Sequence, residues 1–380
     1  MSSTTELATN AQERQELRDL MRAFLREHAS ESAVRDLMES ADGYDRDVWR
    51  RCCDELELTS LIVPTAHGGV GYGWCELGVV MQEMGARVFP GPFLSTVFAT
   101  TALLRLCSEP ARAELLPVIA NGTSLATFAA AGTDRPGMTR NALQCSNSRD
   151  GGRLMVTGRL GFVLDAHIAD RLVVLTPLQD REAVLLIDTN DPAVRVTPLL
   201  GMDQTRRTSQ VDLAGAVARE ITSPDLTSDA VGRFFAMVTA ALAAEQVGGA
   251  DEAFQITLEY LQTRVQFGRP IGSFQAIKHR CADLALALEN ARVTCESALE
   301  AADRESGDLV LQAHVAAALC SETYVVVARE MMQLHGGVGF TWEHSAHLYL
   351  KRAKTSQMML GIPEFHRRMV GRELGLVPGR

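Results

Sequence analysis

The chain changes texture twice, and that double change limits its fold more than any other feature. Up to about residue 120, apolar residues recur at helical spacing. In QERQELRDLMRAFLREHA, Leu17, Leu20, Met21, Phe24 and Leu25 fall three and four apart. VWRRCCDELELTSL and CELGVVMQEMGARV repeat the pattern around a Gly-rich loop, VPTAHGGVGYGW. From Ser124 to about Val217 the runs become short and rich in β-formers: RLMVTG, GFVLDA, RLVVLTP, EAVLLID, VRVTPL and SQVDLAG, separated by RDGG, TNDP and GMDQT. From Ala230 to about Leu376 long periodic runs return, broken at QFGRPIGSF, RESGD, HGGVGF and GIP. Long amphipathic helices joined by short breaks predict an antiparallel bundle. The expected fold is α+β: a helical domain over 1–123, a central antiparallel β domain over 124–222 and a C-terminal four-helix bundle over 223–380.

Charge narrows the partners. Against 37 Lys and Arg stand 47 Asp and Glu, a net charge of −10. A nucleic acid or anionic membrane calls for a positive surface, so neither is expected as the main partner. The N-terminus MSSTTELATNAQERQEL lacks the basic start and apolar run of a signal peptide. The densest apolar stretch, FFAMVTAALAA, stops at Glu245 after eleven residues, and no membrane insertion is expected. The eight cysteines are scattered without a Cys-x-x-Cys pair. No disulfide framework and no metal site follow, and a reducing cytoplasm is the expected compartment.

Chemistry concentrates in RVQFGRPIGSFQAIKHRCADL, Arg264 to Leu284. A helix N-terminus after a glycine loop presents free amides to an anion. Arg264 and Arg269 add fixed positive charge suited to a pyrophosphate, and Phe267 offers a surface for an aromatic ring. Taken alone, the pattern also fits a plain helix–helix corner with solvated arginines. Gly336, Gly337 and Gly339 likewise fit a helix that stops and restarts.

Together, FGRPIGSFQAIKHRCAD and QLHGGVGFTWEHSAHLYLKRAK resemble the acyl-CoA dehydrogenase family, and the resemblance covers nearly the whole chain. It implies a helical domain, a sheet domain and a four-helix bundle. It also implies α,β-dehydrogenation of an acyl-CoA thioester: a carboxylate takes the α proton, and hydride leaves the β carbon for N5 of FAD. In the family the flavin lies between two subunits. Arg264, Gln266 and Phe267 match the family's contacts to the diphosphate and adenine of the neighbour's FAD. Gln275 falls in the same motif. Gln333, Gly336 and Gly337 match the Gln-x-x-Gly-Gly that lets backbone approach the cofactor.

The half that a family member uses for its own flavin departs from the pattern. The usual Thr-x-Pro-x-x-Gly-Ser-Asp loop reads AAAGTDRPG here, keeping Thr133 and Asp134. The Trp-Ile-Thr segment has become Phe162, Val163 and Leu164. Where the family commonly has Tyr-Glu-Gly-Thr, this chain has MLGI, so Leu360 replaces the base and Ile362 the threonine. Some members carry the base on the first bundle helix, but Val238 and Thr239 stand there, with no acid between Asp229 and Glu245. Glu245 lies seven residues beyond Val238, roughly 10 Å along a helix. Glu364, four residues after Leu360 and just past Pro363, is the other acid in reach; a solvated first-turn Glu is the simpler account. His167, Asp165 and Asp170 read as turn chemistry, and Trp342, Glu343, His344 and His347 as helix-start residues.

Three expectations follow. The first is a subunit of a mixed tetramer, completing the FAD site of a homologous partner chain in lipid or steroid β-oxidation. The second is a self-sufficient homomeric enzyme using Glu364 or Glu245. The third is a flavin-free acyl-binding or scaffold protein.

Overall fold

The computed structural model describes residues 2–133, 135, 138–147 and 153–376, with the side chains of 2–10 and 147 left aside. Helices α1 (Ser2–His28), α2 (Glu31–Glu39), α3 (Arg46–Asp54), α4 (Trp74–Ala86), α5 (Phe93–Leu106) and α6 (Glu109–Ala120) form the N-terminal layer. The stripe read from the sequence of α1 is inward at Met21, Phe24 and Leu25, while Leu20 is half exposed. Asp45 caps α3, its carboxylate accepting from the amides of Asp47 and Val48 at 2.8 and 3.0 Å. Helix α5 is apolar on nearly every face and is buried as the hub between the other α helices and the sheet.

Strands β1 (Ala126–Ala130), β2 (Gln144–Asn147), β3 (Leu154–Leu164), β4 (Arg171–Leu178), β5 (Arg181–Asp188), β6 (Val194–Pro198) and β7 (Thr208–Glu220) form one sheet in the order β1-β4-β5-β7-β3-β2, with β6 also on β7. The pairings are antiparallel except β1 with β4, which is parallel because the β2–β3 excursion lies between them in the chain.

Helix α7 (Ser228–Thr263) starts at the Thr227 cap and runs 36 residues. A two-stranded hairpin, β8 (Val265–Gln266) and β9 (Arg269–Pro270), leads to α8 (Gln275–Asp303), then α9 (Leu309–Leu334), α10 (Ala346–Met359) and α11 (Pro363–Glu373). By length and composition α7 and α9 would each suffice to cross a membrane, contrary to the sequence expectation that no stretch was long enough. Their most apolar windows are 83% and 61% buried in the bundle. Helices α4 and α7 cross at backbone contact: a Cβ on Gly248 would sit 1.8 Å from the Gln82 carbonyl, and one on Gly85 2.1 Å from that of Glu245. Two glycines therefore set how closely the N-terminal layer approaches the bundle.

Candidate flavin face and own-site cleft

Two segments meet at one end of the bundle. Helix α7 ends at Thr263, and the hairpin turns at Phe267 (φ +52°) and Gly268 (φ +77°). Positive φ at both central residues is the type I′ geometry of a two-residue hairpin. Glycine accepts it freely, whereas phenylalanine rarely does. Phe267 is 90% exposed. Arg264 is exposed and makes no ion pair among the described residues, and Gln266 and Gln275 are also exposed. Arg269 folds over Phe274 at 4.0 Å, and the rings of Phe267 and Phe274 meet edge to face at 6.1 Å.

The second segment is the end of α9. Tyr260 of α7 stacks on His335 at 4.3 Å and 25°, bringing the turn Gly336–Phe340 beside the hairpin. Gly336 has φ +63°, which its lack of a Cβ permits. Gly339 is fixed by packing, since a Cβ there would lie 2.6 Å from the Met332 carbonyl. Gly337 has neither constraint: its φ is not positive and a Cβ would meet open space. Gln333 is exposed and lines a cavity of about 380 Å³ with Arg280, Arg329 and Phe340. All seven residues singled out from the motifs thus lie on exposed surface contributed by these two segments.

The own-site side is different. Asp134 lies outside the described residues, and Thr133 Oγ1 accepts the amide of Arg135 at 3.2 Å. Val163 and Leu164 are buried, while Phe162, at a register break in β3, has φ +54° and is 71% exposed. Leu360 closes α10 and is 7% exposed; Val238 and Thr239 are buried too. The cavity bounded by Leu360, Thr239, Gln246, Ser321, Ser356 and His366 is about 10 Å³, room for about one water. Glu364 stands exposed in the first turn of α11.

Glu245 is taken up by structure. It is 3% exposed, and Arg206 Nη2 donates to both carboxylate oxygens at 2.5 Å while Arg352 Nη1 donates to one at 2.6 Å. Burial alone would raise its pKa, but the two guanidiniums hold the carboxyl below the usual range. Arg352 also binds Asp203 at 2.8 Å and the Thr205 hydroxyl at 2.7 Å. Two arginines and two carboxylates thereby fasten the β6–β7 loop to α7 and α10. Such a neutralised carboxylate is a poor proton acceptor.

This network is absent from the sequence reading; a single acid inside the apolar run of α7, Glu245, was its available signal, whereas Arg352 lies among other polar residues of α10 and gave none. A second unforeseen pair is His314 with His366, Nδ1 to Nδ1 at 2.8 Å. Burial pushes them down to about 3 and about 4. Asp165 takes a turn role, with φ +47° and its carbonyl accepting the amides of Ile168 and Ala169. Ser95 also donates to its carboxylate at 2.6 Å, and burial raises its pKa to about 6. His167 and Asp170 bond backbone groups, and His347 stacks on Trp342 at 4.5 Å.

Comparison with known proteins decides the family. Residues 11–123 match the acyl-CoA dehydrogenase N-terminal domain and 229–375 the acyl-CoA dehydrogenase C-terminal domain. The acyl-CoA dehydrogenase IpdE2 of Mycobacterium tuberculosis is 34% identical over 355 residues, 93% of this chain and 95% of that one. The chain belongs to the acyl-CoA dehydrogenase family. Among solved structures it is similar to the Tcur3481-Tcur3483 steroid ACAD (TM-score 0.86, 28% identity, 96% and 98% covered). The same holds for the ChsE4-ChsE5 complex from Mycobacterium tuberculosis (TM-score 0.86, 27% identity, 96% and 98% covered). Family members are FAD-dependent oxidoreductases. The exposed face fits a flavin nucleotide: Arg264 and Gln266 would meet the diphosphate, Phe267 the adenine, and Gly337 leaves the space that a Cβ would fill. When bound, FAD supplies the hydride acceptor.

Proposed function

We propose that this chain is the complementary subunit of a mixed acyl-CoA dehydrogenase tetramer. In this reading it holds the nucleotide end of FAD seated in a homologous partner chain. The partner supplies the carboxylate that takes the α proton of an acyl-CoA thioester. One contrast carries the reading: the residues matching contacts to a neighbour's FAD are all exposed, while both base positions are buried and apolar or hydroxylic and Glu245 is neutralised by two arginines.

The similarity to two complexes whose names pair two gene products, one of them described as a steroid ACAD, supports a bulky polycyclic acyl chain as substrate class. Eight free cysteines support a reducing cytoplasm.

The test is flavin content and turnover. The chain purified alone is expected to be colourless and inactive with acyl-CoA and a dye acceptor. Co-expressed with an acid-bearing homologue, it is expected to co-purify yellow and active. A yellow, active preparation of this chain alone, silenced by replacing one of its own acids, overturns the reading.

A further inference from the structure

One cavity opens beside the candidate flavin face. It measures about 380 Å³ and is walled chiefly by α8 and α9, with Arg280, Arg329, Glu330, Gln333 and Phe340 lining it. That volume is enough for part of a small-molecule ligand. Arg329 and Gln333 stand four residues apart in α9, and Gly337 follows four further on, in the turn after the helix ends. Side chains at that spacing share one helix face, so Arg329 sits one turn before Gln333 on the side that lines the cavity. The ring of Phe340 is 68% exposed at the same cavity.

The charges there do not cancel. Arg280 Nη2 donates to Glu330 at 2.9 Å, an ion pair that ties α8 to α9. Arg329 is exposed and makes no ion pair among the described residues. The cavity therefore keeps the Arg329 guanidinium uncompensated, in a chain whose net charge is −10. A guanidinium meets phosphate oxygens through a planar fork, as a bidentate clamp. The diphosphate of FAD carries a negative charge on each phosphate group. Arg264 would meet one of them, while Arg269, the other hairpin cation, is laid over the Phe274 ring at 4.0 Å. The second phosphate charge is left for a cation from elsewhere.

We infer that Arg329 is a second cationic clamp on the diphosphate of the FAD seated in the partner chain, held out from α9 while Arg264 meets it from the hairpin. The inference rests on the complementary-subunit reading and adds to it a residue that the motifs do not single out. Arg329 retains the cofactor and takes no part in proton or hydride transfer. Arg280 is a positioning residue: its pair with Glu330 keeps that carboxylate from neutralising Arg329.

The test is FAD affinity in the co-purified, flavin-loaded assembly, with only this chain varied. A dilution series read by the fluorescence of released flavin gives the dissociation constant. Arg329→Gln is expected to weaken FAD about tenfold, the loss of a charge-assisted hydrogen bond, and to flatten the dependence of affinity on salt. Arg329→Lys should recover part of the affinity. Arg280→Gln should also weaken FAD, because Glu330 is then free to pair with Arg329. The melting temperature of the Arg329→Gln chain alone should not move, since that side chain is exposed. Wild-type FAD affinity in Arg329→Gln overturns the inference. Acyl-CoA also carries a diphosphate, so S-octyl-CoA, a thioether, is titrated into the loaded variants. Weaker binding of that thioether with unchanged FAD affinity assigns Arg329 to the acyl-CoA and equally overturns the inference. Flavin is counted separately by absorbance. Two flavins per pair of chains sink the complementary-subunit reading, whereas one flavin per pair with unchanged affinity sinks only the role of Arg329.

Discussion

The ring of Tyr260 lies 4.3 Å from that of His335, nearly parallel to it, and this stack joins the two segments of the candidate flavin face. One segment carries Arg264 and Phe267, the other Gly336 and Gly337, some seventy residues away in the chain. The Tyr260 hydroxyl adds only a long bond of 3.5 Å to the His335 carbonyl. Tyr260→Phe should therefore leave flavin retention in the assembly near wild type, and Tyr260→Ala should lower it several-fold. Flavin-to-protein absorbance after gel filtration checks this; equal retention in both variants would show that the stack does not organise the face.

Gly337 and Gly339 separate binding from folding. A Cβ on Gly339 would press on the Met332 carbonyl at 2.6 Å, so Gly339→Ala should cost about 1–3 kcal/mol of stability. Gly337→Ala meets open space in the chain itself and should leave its melting temperature unchanged, while the assembly loses flavin. Thermal melts of the chain alone, beside flavin counts of the pair, test both halves.

Glu245 should behave as a structural anion. Glu245→Gln leaves Arg206 and Arg352 buried without adequate counter-charge, and removing one partner of such a network costs about 3–5 kcal/mol. Denaturant midpoints should fall accordingly. A stable Glu245→Gln protein that has lost dehydrogenase activity would instead restore Glu245 as a base.

Asp165 predicts a pH effect of definite sign. Its folded pKa is raised to about 6, above the ordinary carboxylate value, chiefly by burial. The folded state then holds the extra proton, so this residue's contribution to stability declines as pH rises from about 4 to about 6. Asp165→Asn keeps a side chain that tolerates positive φ and can accept from Ser95. It should be more stable than wild type at pH 8 and flatten that part of the profile. A wild-type-like profile in Asp165→Asn assigns the dependence elsewhere.

The histidine pair acts in the opposite direction. His314 and His366 are held neutral, with pKa values of about 3 and about 4, well below the ordinary histidine value. Their stabilisation is fully present above about pH 6.5 and is lost as pH falls toward 4. His366→Leu should reduce the loss of stability over that interval, measured by melts at stepped pH.

Residue identity along the chain was enough for several conclusions. Periodicity separated helices from strands, because side chains repeat at 3.6 in one and at 2 in the other. The motifs around Phe267 and Gly336 placed the chain beside a family, and the leucine at 360 raised the expectation that the usual proton acceptor is missing, since no environment makes a hydrocarbon basic. Tertiary structure alone decided the rest. Nothing in the one-dimensional text distinguishes a reactive Glu245 from one clasped by Arg206 and Arg352, because those arginines arrive from positions 39 residues upstream and 107 residues downstream. The same holds for Arg135, whose guanidinium lies 4.1 Å from the centre of the Phe235 ring, and for His314 against His366. Each of these pairs is made by packing, and a carboxylate, a guanidinium or an imidazole acquires its chemistry from what packing sets beside it.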